Sequence, residues 1–572
     1  MLAKLPTRST KHVCSVRITL AKDRLPGMSE VFSTHDVFNQ SPTFEDVNLY
    51  LSDQALVAAV KREGAAGSAA ALQAYGAIAG SSQARDLARL ANEFPPILKT
   101  HDAKGHRIDL VEYHPAYHAL MAISAGAGLH HMSAGAAPQV TRSALLYLSA
   151  QMEAGHCCPM TMTNAALSVL SRQPETGAPW LQKISEPKYD QSNVPLAQKF
   201  GLTIGMGMTE KQGGTDVRAN TTRAVPLKAV GAGNAYALTG HKWFMSAPMS
   251  DAFLVLAQAA GGLTCFLLPR LAPDGGQNGI RLQRLKPKLG NRSNASSEVE
   301  FHEAQAIAIG NEGDGIRTII AMVTQTRLDC AVSSAGLMRS ALAHALHHTS
   351  HRTVFQKKLA DQPLMQQVLA DLAIEVEGAV ALSFRLARAF DGGDDPLAQA
   401  WRRVMTPVAK YWICKQAAGF VAEAMECLGG NGYVEDGTLA RIYREVPVNA
   451  IWEGSGNVMA LDLVRVLQRT PDAAQLVLAD IGAMIGGDAR LGGAHARLSG
   501  LMRDVLGLER NARAIANGLA VLAAAALLKR DAPEEVCESF IATRVSLSGR
   551  QTYGIGIDAD CARAIIARAM PG

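Results

Sequence analysis

Apolar residues recur every three or four positions over residues 55–62, 81–91 and 143–152, a spacing that predicts amphipathic helices. Pro95-Pro96 and the stretch 174–179 punctuate them, and the chain up to about residue 203 reads as helices joined by loops. Between residues 205 and 312 the pattern shortens. Residues 235–239, 252–257, 264–268 and 297–301 have strand composition, and Gly261-Gly262 stands where a hairpin would turn. From about Asp314 the helical period returns. Ile316, Ile319, Ile320 and Val323 form one stripe; Leu364, Val368, Leu369, Leu372 and Val376 form a second, which starts at Asp361 with Pro363 in its first turn. The helices continue to about Val466, interrupted near residues 429–437, and an Ala/Leu-rich helical segment follows Thr470-Pro471.

This order predicts an α+β chain in five parts. Residues 1–34 are a disordered extension, 35–203 a helical domain, 204–312 a small, mostly antiparallel β-domain, 313–470 a helical bundle and 471–572 an additional helical domain. Charge changes the picture only at the N-terminus. Residues 1–27 carry six bases and one acid, which equals the whole net charge of +5. That composition suits a transit peptide or, the reading preferred here, residues ahead of a start at Met28. The longest plain apolar run, 518–528, is far shorter than the ~20 residues that span a bilayer, so no membrane role is expected. Nine scattered cysteines without a C-x-x-C pair suit reduced thiols and a cytoplasmic location.

Candidate chemistry begins at residues 205–216, G-M-G-M-T-E-K-Q-G-G-T-D. Glycines let a backbone approach a flat ring or a phosphate, and hydroxyls donate to heteroatoms, although the spacing is neither Walker nor Rossmann. Five further strings follow in order: G-H-K-W-F-M-S, K-L-G-N-R-S-N-A-S, H-R-T-V-F-Q-K-K-L, L-G-G-N-G-Y and I-W-E-G-S-G-N. Together they resemble the acyl-CoA dehydrogenase family over about 260 residues. V-F-N-Q from Val37, M-T-E-K-Q-G-G and the extra C-terminal segment resemble its alkylation-response branch.

The resemblance implies the family's fold, in which residues 313–470 form a four-helix bundle, with bound FAD, an acyl-CoA substrate and a homotetramer. It places Met206, Met208, Thr209, Gly214, Thr215, Phe244, Met245 and Ser246 around the flavin. Arg352 and Phe355 would reach a neighbouring subunit's FAD, and Gly429, Gly430, Ile451, Gly454, Ser455 and Asn457 complete the cofactor set. It makes Glu453 the base that removes the alpha proton while the beta hydride passes to flavin N5. Such a proton is weakly acidic, so the base needs a pKa raised by an apolar, water-poor site, to which Trp452 contributes bulk. Four positions depart from the family: Lys211 stands for Pro, Phe244 for Trp, Ser246 for Thr and Gln356 for Gly.

Two other features point elsewhere. His344, His347, His348 and His351 share one helical face, but no acid or cysteine accompanies them, so a surface or interface face is expected and no metal. His114 and His118 flank a helix start at Pro115 and are read as packing residues. From residue 471 onward eleven bases face eleven acids, which is no electrostatic footprint for duplex DNA. The reading is a dehydrogenase acting on a short or branched acyl-CoA, with an unspecified electron acceptor. The alternatives are a DNA-associated alkylation-response flavoprotein with vestigial dehydrogenase chemistry, binding double-stranded DNA through its C-terminal domain, and an oxidase that uses oxygen.

Overall fold

The structure, a computed structural model, describes residues 34–131, 135–272, 274–546 and 552–571. The basic stretch 1–27 and Met28 lie outside them. By contacts the chain divides into Met1–Gln40 and Ser41–Gly572. The described part of the first unit, residues 34–40, has no helix or strand, and the helices and strands belong to the second.

The N-terminal region holds α1 (Gln54–Arg62), α2 (Ala69–Ala79) and α3 (Ser82–Glu93), then a hairpin of β1 (Ile97–His101) and β2 (Arg107–Glu112). After it come α4 (Pro115–Gly126), α5 (Pro138–Met152), α6 (Cys157–Leu170) and α7 (Pro174–Ile184). Asp53 caps α1 by accepting from Leu56 N at 3.0 Å, and His114 caps α4 ahead of Pro115. The hairpin is the exception in a region expected to be mainly helices and loops. Its strands are mostly half-exposed and short, and they are held from outside: Arg107 donates to Leu282 O at 2.9 Å and Gln277 to Ile108 O at 2.7 Å.

Seven strands form the β-region: β3 (Ile204–Gly207), β4 (Arg223–Pro226), β5 (Ala235–Ser246), β6 (Ala252–Ala259), β7 (Gly262–Pro269), β8 (Ile280–Leu285) and β9 (Ser296–Ile309). β6, β4, β5, β9 and β7 pair in sequence, and β7 returns to β6, so five strands close a ring with β3 and β8 attached. Closure removes the open edges of a sheet. All pairings are antiparallel except β3–β6 and β4–β6. On β6, Phe253, Val255 and Ala257 face the ring interior, while Leu254 and Leu256 pack outward with α6. Both faces are buried, which is why this strand reads as an unbroken apolar run.

The long helices follow: α8 (Gly315–His351), a small hairpin of β10 (Thr353–Val354) and β11 (Lys357–Lys358), α9 (Pro363–Asp391) and α10 (Pro396–Glu426). Then come α11 (Gly430–Tyr433), α12 (Thr438–Asn449) and α13 (Gly456–Arg469). The predicted stripes hold with two exceptions, since Ile320 is 43% and Leu364 83% exposed. The N-cap of α9 is Gln362; Asp361 instead closes a 3-10 turn.

The C-terminal segment contributes α14 (Pro471–Met484), α15 (Ala489–Arg503), α16 (Leu508–Asp531), α17 (Glu534–Phe540), a π-helical turn at Ile541–Ser546 and α18 (Ala559–Ala569). It shares one apolar core with α1, α5, α8, α9 and α10. Ion pairs tie it to α9: buried Arg544 binds Asp371 and Glu375, and half-buried Arg568 binds Glu377 at 2.5 Å. By length and composition α16 could cross a membrane, which the plain run 518–528 concealed; 67% of its apolar window is buried against neighbouring helices.

Candidate active site

Glu453 sits in the turn between α12 and α13, in a left-handed backbone conformation (φ +59) followed by Gly454 at +110. For a residue with a Cβ this costs roughly 1–2 kcal/mol, so the surroundings must hold it. Two cations do so through main-chain carbonyls. Arg327 on α8 donates from Nε to Glu453 O at 2.9 Å, and Lys410 on α10 donates to Gly454 O at 2.8 Å and Asn449 O at 2.9 Å. Among the described residues the carboxylate has one hydrogen-bonding partner, Thr326 Oγ1 at 2.7 Å, a hydroxyl that also lies 3.0 Å from Val323 O. Burial pushes the carboxyl up from its ordinary value, against the lowering effect of Thr326, Arg327 and Lys410. Trp452 donates to Asn449 Oδ1 at 2.9 Å and packs on the apolar cluster between α6 and the β-region. Met206 and Met208 belong to the same cluster, which the glycine-rich loop and the Glu453 turn therefore share.

That loop leaves β3 and turns on a buried ion pair. Glu210, with no exposed surface, binds Lys242 of β5 at 2.8 Å and accepts from Thr222 Oγ1 at 2.6 Å, Thr222 N and Thr221. Burial alone would raise Glu210, but Lys242 and these donors outweigh it and bring the carboxyl down to about 2. Thr209 O accepts from Trp243 N at 2.9 Å, which joins the loop to β5. A Cβ at Gly214 would fall 2.3 Å from Thr209 Oγ1, so only glycine lets the loop fold this tightly. Gly214 and Thr215 are exposed and Thr209 half-exposed.

Further along β5, Phe244 is exposed beside Lys286, whose Nζ lies 4.6 Å from its ring and 3.4 Å from that of Trp243. Ser246 Oγ meets Ser296 Oγ at 2.9 Å. Met245 is fully buried inside the ring of strands, and Met206 is 9% exposed in the cluster beside α6, so neither of these predicted side chains is placed at the surface. The K-L-G-N-R-S-N loop packs on α12, where Asn291 Nδ2 donates to Glu445 at 2.8 Å. The donor set suits FAD. Hydroxyls and backbone of a glycine-rich loop face outward, and the carboxylate among them, Glu210, is turned in and neutralised.

The structure does not bring all predicted residues together. Ile451, Gly454, Ser455 and Asn457 share the Glu453 turn, with Ile451, Ser455 and Asn457 exposed. Arg352 and Phe355 lie at the far end of α8, 26 and more residues beyond Thr326, which is roughly 40 Å along a straight helix. Phe355 is 91% exposed at the tip of the β10–β11 hairpin. Phe355 and Gln356 both have positive φ (+51 and +66), the turn that a two-residue hairpin requires, so Gln356 adopts the backbone where the family has glycine. Gly429 and Gly430 are exposed beyond the end of α10. The histidine face of α8 is covered by residues 41–44: His348 meets Ser41, His347 donates to Pro42 O and His344 packs edge-on to Phe44. His118 bonds Tyr189 at 2.8 Å. Of the C-terminal bases, Arg490, Lys529, Arg530, Arg544, Arg563 and Arg568 are already in ion pairs.

Thr326, Arg327 and Lys410 were missed in the sequence. Their signal is a polar residue at a core-facing helix position, where an unpaired group is costly and a partner is therefore required.

The adaptive response protein AidB N-terminal domain matches residues 39–191, the acyl-CoA dehydrogenase middle domain 205–304, and the acyl-CoA dehydrogenase C-terminal domain 313–468. The chain is 51% identical to AidB of Escherichia coli over 443 residues, 77% of this chain and 81% of that protein. It is 33% identical to acyl-CoA dehydrogenase family member 11 of Caenorhabditis elegans over 408 residues, 68% and 64% of the two chains. The crystal structure of C. elegans ACDH-11 in complex with C11-CoA superposes with a TM-score of 0.81 at 28% identity, covering 94% of this chain and 97% of that one. The chain belongs to the acyl-CoA dehydrogenase family and carries an AidB-type N-terminal domain.

Proposed function

We propose that the chain is an FAD-dependent acyl-CoA dehydrogenase in which Glu453 removes the alpha proton of a short or branched acyl thioester. The observation that supports this best is the state of Glu453: a carboxyl with a raised pKa, accepting one hydrogen bond, on a turn held in place by two cations. A base must be ionised to act yet basic enough to take a weakly acidic proton, and burial supplies the second condition. Thr326 and Arg327 keep the ionised form accessible.

When bound, FAD supplies the acceptor for the hydride that leaves the beta carbon. Thr209, Thr215 and Ser246 would bind and orient it, together with the main chain of the loop. Arg352 and Phe355 stand too far along α8 to serve the Glu453 of their own chain, which suits a role toward the FAD of another copy in a homotetramer. The C. elegans complex with C11-CoA favours an acyl-CoA ligand and makes a medium chain the natural comparison.

The test is the visible spectrum of the purified protein on anaerobic addition of isovaleryl-CoA and of an eleven-carbon acyl-CoA. Bleaching of the flavin band by either one is the expected result; bleaching by the longer one alone overturns the short-chain assignment. A flavin band unchanged by every chain length overturns the dehydrogenase reading. A protein that takes up no FAD overturns the cofactor.

A further inference from the structure

A chain of three polar side chains runs from Lys288 to Ser246, and its direction can be worked out. Lys288 Nζ is placed to donate to Asn294 O at 2.6 Å, Ser296 Oγ at 3.2 Å and Asn291 Oδ1 at 3.3 Å. An ammonium has three donors and no acceptor, so all three of its protons are directed and Ser296 must accept. Ser296 is 6% exposed, and among the described contacts its hydroxyl meets one other group, Ser246 Oγ at 2.9 Å. If Ser246 also donated to Ser296, the Ser296 proton would be buried without an acceptor, at a cost of about 1–3 kcal/mol. Ser296 therefore donates to Ser246. The Ser246 hydroxyl, half-exposed and already accepting, keeps its own proton for an acceptor outside the protein.

The backbone supports the same arrangement. Ser246 and Ser296 are direct cross-strand partners at one end of the β5–β9 ladder. Lys288 reaches them from a loop that Asn291 anchors to Glu445 of α12. Among the described residues the ammonium makes no hydrogen bond to a carboxylate; the buried Glu445 and Glu153 act on its charge through space, while its N–H groups are directed at the loop and the hydroxyl chain.

We propose that Lys288 is a positioning residue for the flavin: through Ser296 it fixes Ser246 as an outward donor, polarised to favour the reduced, more negative form of the ring. This rests on the flavoprotein reading above and on Ser246 facing the ring, as the family resemblance implies. It adds a residue that touches neither substrate nor cofactor, and it explains why the hydroxyl at position 246 is backed by a second hydroxyl.

The experiment is a redox equilibration of the FAD-loaded protein against a reference dye, which reads the ratio of reduced to oxidised flavin. Lys288→Met is expected to lower that ratio roughly ten-fold, the loss of one charge-assisted hydrogen bond. For a two-electron couple this equals about 30 mV. Ser296→Ala, with the ammonium still present, is expected to give the same fall, Ser296→Thr to stay near wild type, and the double variant Lys288→Met/Ser296→Ala to fall no further. A Lys288→Met effect that is undiminished in the Ser296→Ala background overturns the relay in favour of charge acting through space. No change in Ser296→Ala overturns it outright, and this variant decides the matter if Lys288→Met fails to fold, which its melting temperature shows. If Ser246→Ala leaves the ratio unchanged while flavin stays bound, the placement of Ser246 fails and the relay with it. If the wild-type protein binds no flavin, the functional reading fails as well.

Discussion

Glu210 and Glu453 are both carboxylates within the protein, each next to lysine or arginine, yet they end in opposite states. At Glu210 the Lys242 ammonium and four donors from Thr221 and Thr222 are aimed at the carboxylate itself, and its pKa falls to about 2. At Glu453, Arg327 gives its Nε to a main-chain carbonyl and its Nη1 to Asp462, Lys410 aims at main-chain carbonyls, Thr326 alone among the described residues meets the carboxylate, and its pKa rises. Proximity to a cation does not decide the matter; the target of its N–H groups does. One arrangement fixes a loop and the other prepares a base.

Three experiments press on this contrast. The largest effect is expected from Glu453→Gln, which removes the base while keeping an acceptor for Thr326: reduction of the flavin by acyl-CoA should slow roughly 10²–10⁴-fold. Because the raised pKa means the folded chain holds this proton more tightly, wild-type stability declines as pH rises through that pKa. At neutral pH Glu453→Gln should therefore be at least as stable as wild type in denaturant titrations, and a clear loss there would place Glu453 among the structural carboxylates. Next is Lys242→Met, which strands the buried Glu210 charge and should cost about 3–5 kcal/mol by the same titrations. The sign is opposite for Glu210: its contribution is full above its unfolded value and is lost as pH falls toward about 2. A cost under about 1 kcal/mol for Lys242→Met would mean that Glu210 needs no partner. The smallest is Thr326→Val. Without its one hydrogen bond, the Glu453 carboxyl should titrate higher, and the acid limb of kcat/KM should move up by about one pH unit or less. An unmoved limb would assign the tuning to Arg327 and Lys410.

The same contrast shows what a sequence displays and what it hides. Helical period locates α1 and α9 because each buries one face, whereas α5 is buried on every side and shows itself by its apolar content. β6 is visible as an apolar run because both its faces are covered. The β1–β2 hairpin is not, since its half-exposed strands owe their place to Leu282 and Gln277, which lie about 170 residues away. Glu210 and Lys242 are 32 residues apart and become a pair only when the β3 loop meets β5. Glu453 stands out through its neighbours in I-W-E-G-S-G-N, whereas Thr326 and Arg327 are hidden in an apolar helix that a search for stripes passes over. Phe355 and Gln356 reverse the case: the motif was legible, but their distance from Glu453 within one chain was not.

The ion pairs between α9 and the C-terminal segment also put a schedule on synthesis. Asp371 waits 173 residues for Arg544, and Glu377 waits 191 for Arg568. At about 5–20 residues per second the first interval lasts roughly 10–35 s. For that time α9 carries Asp371, Glu375 and Glu377 without the arginines that later neutralise them, on a helix whose apolar face also lacks α16. A ribosome that stops short of Arg544 would release a chain that has α16 but lacks α18, with Asp371 and Glu375 buried and without the cation that pairs with them.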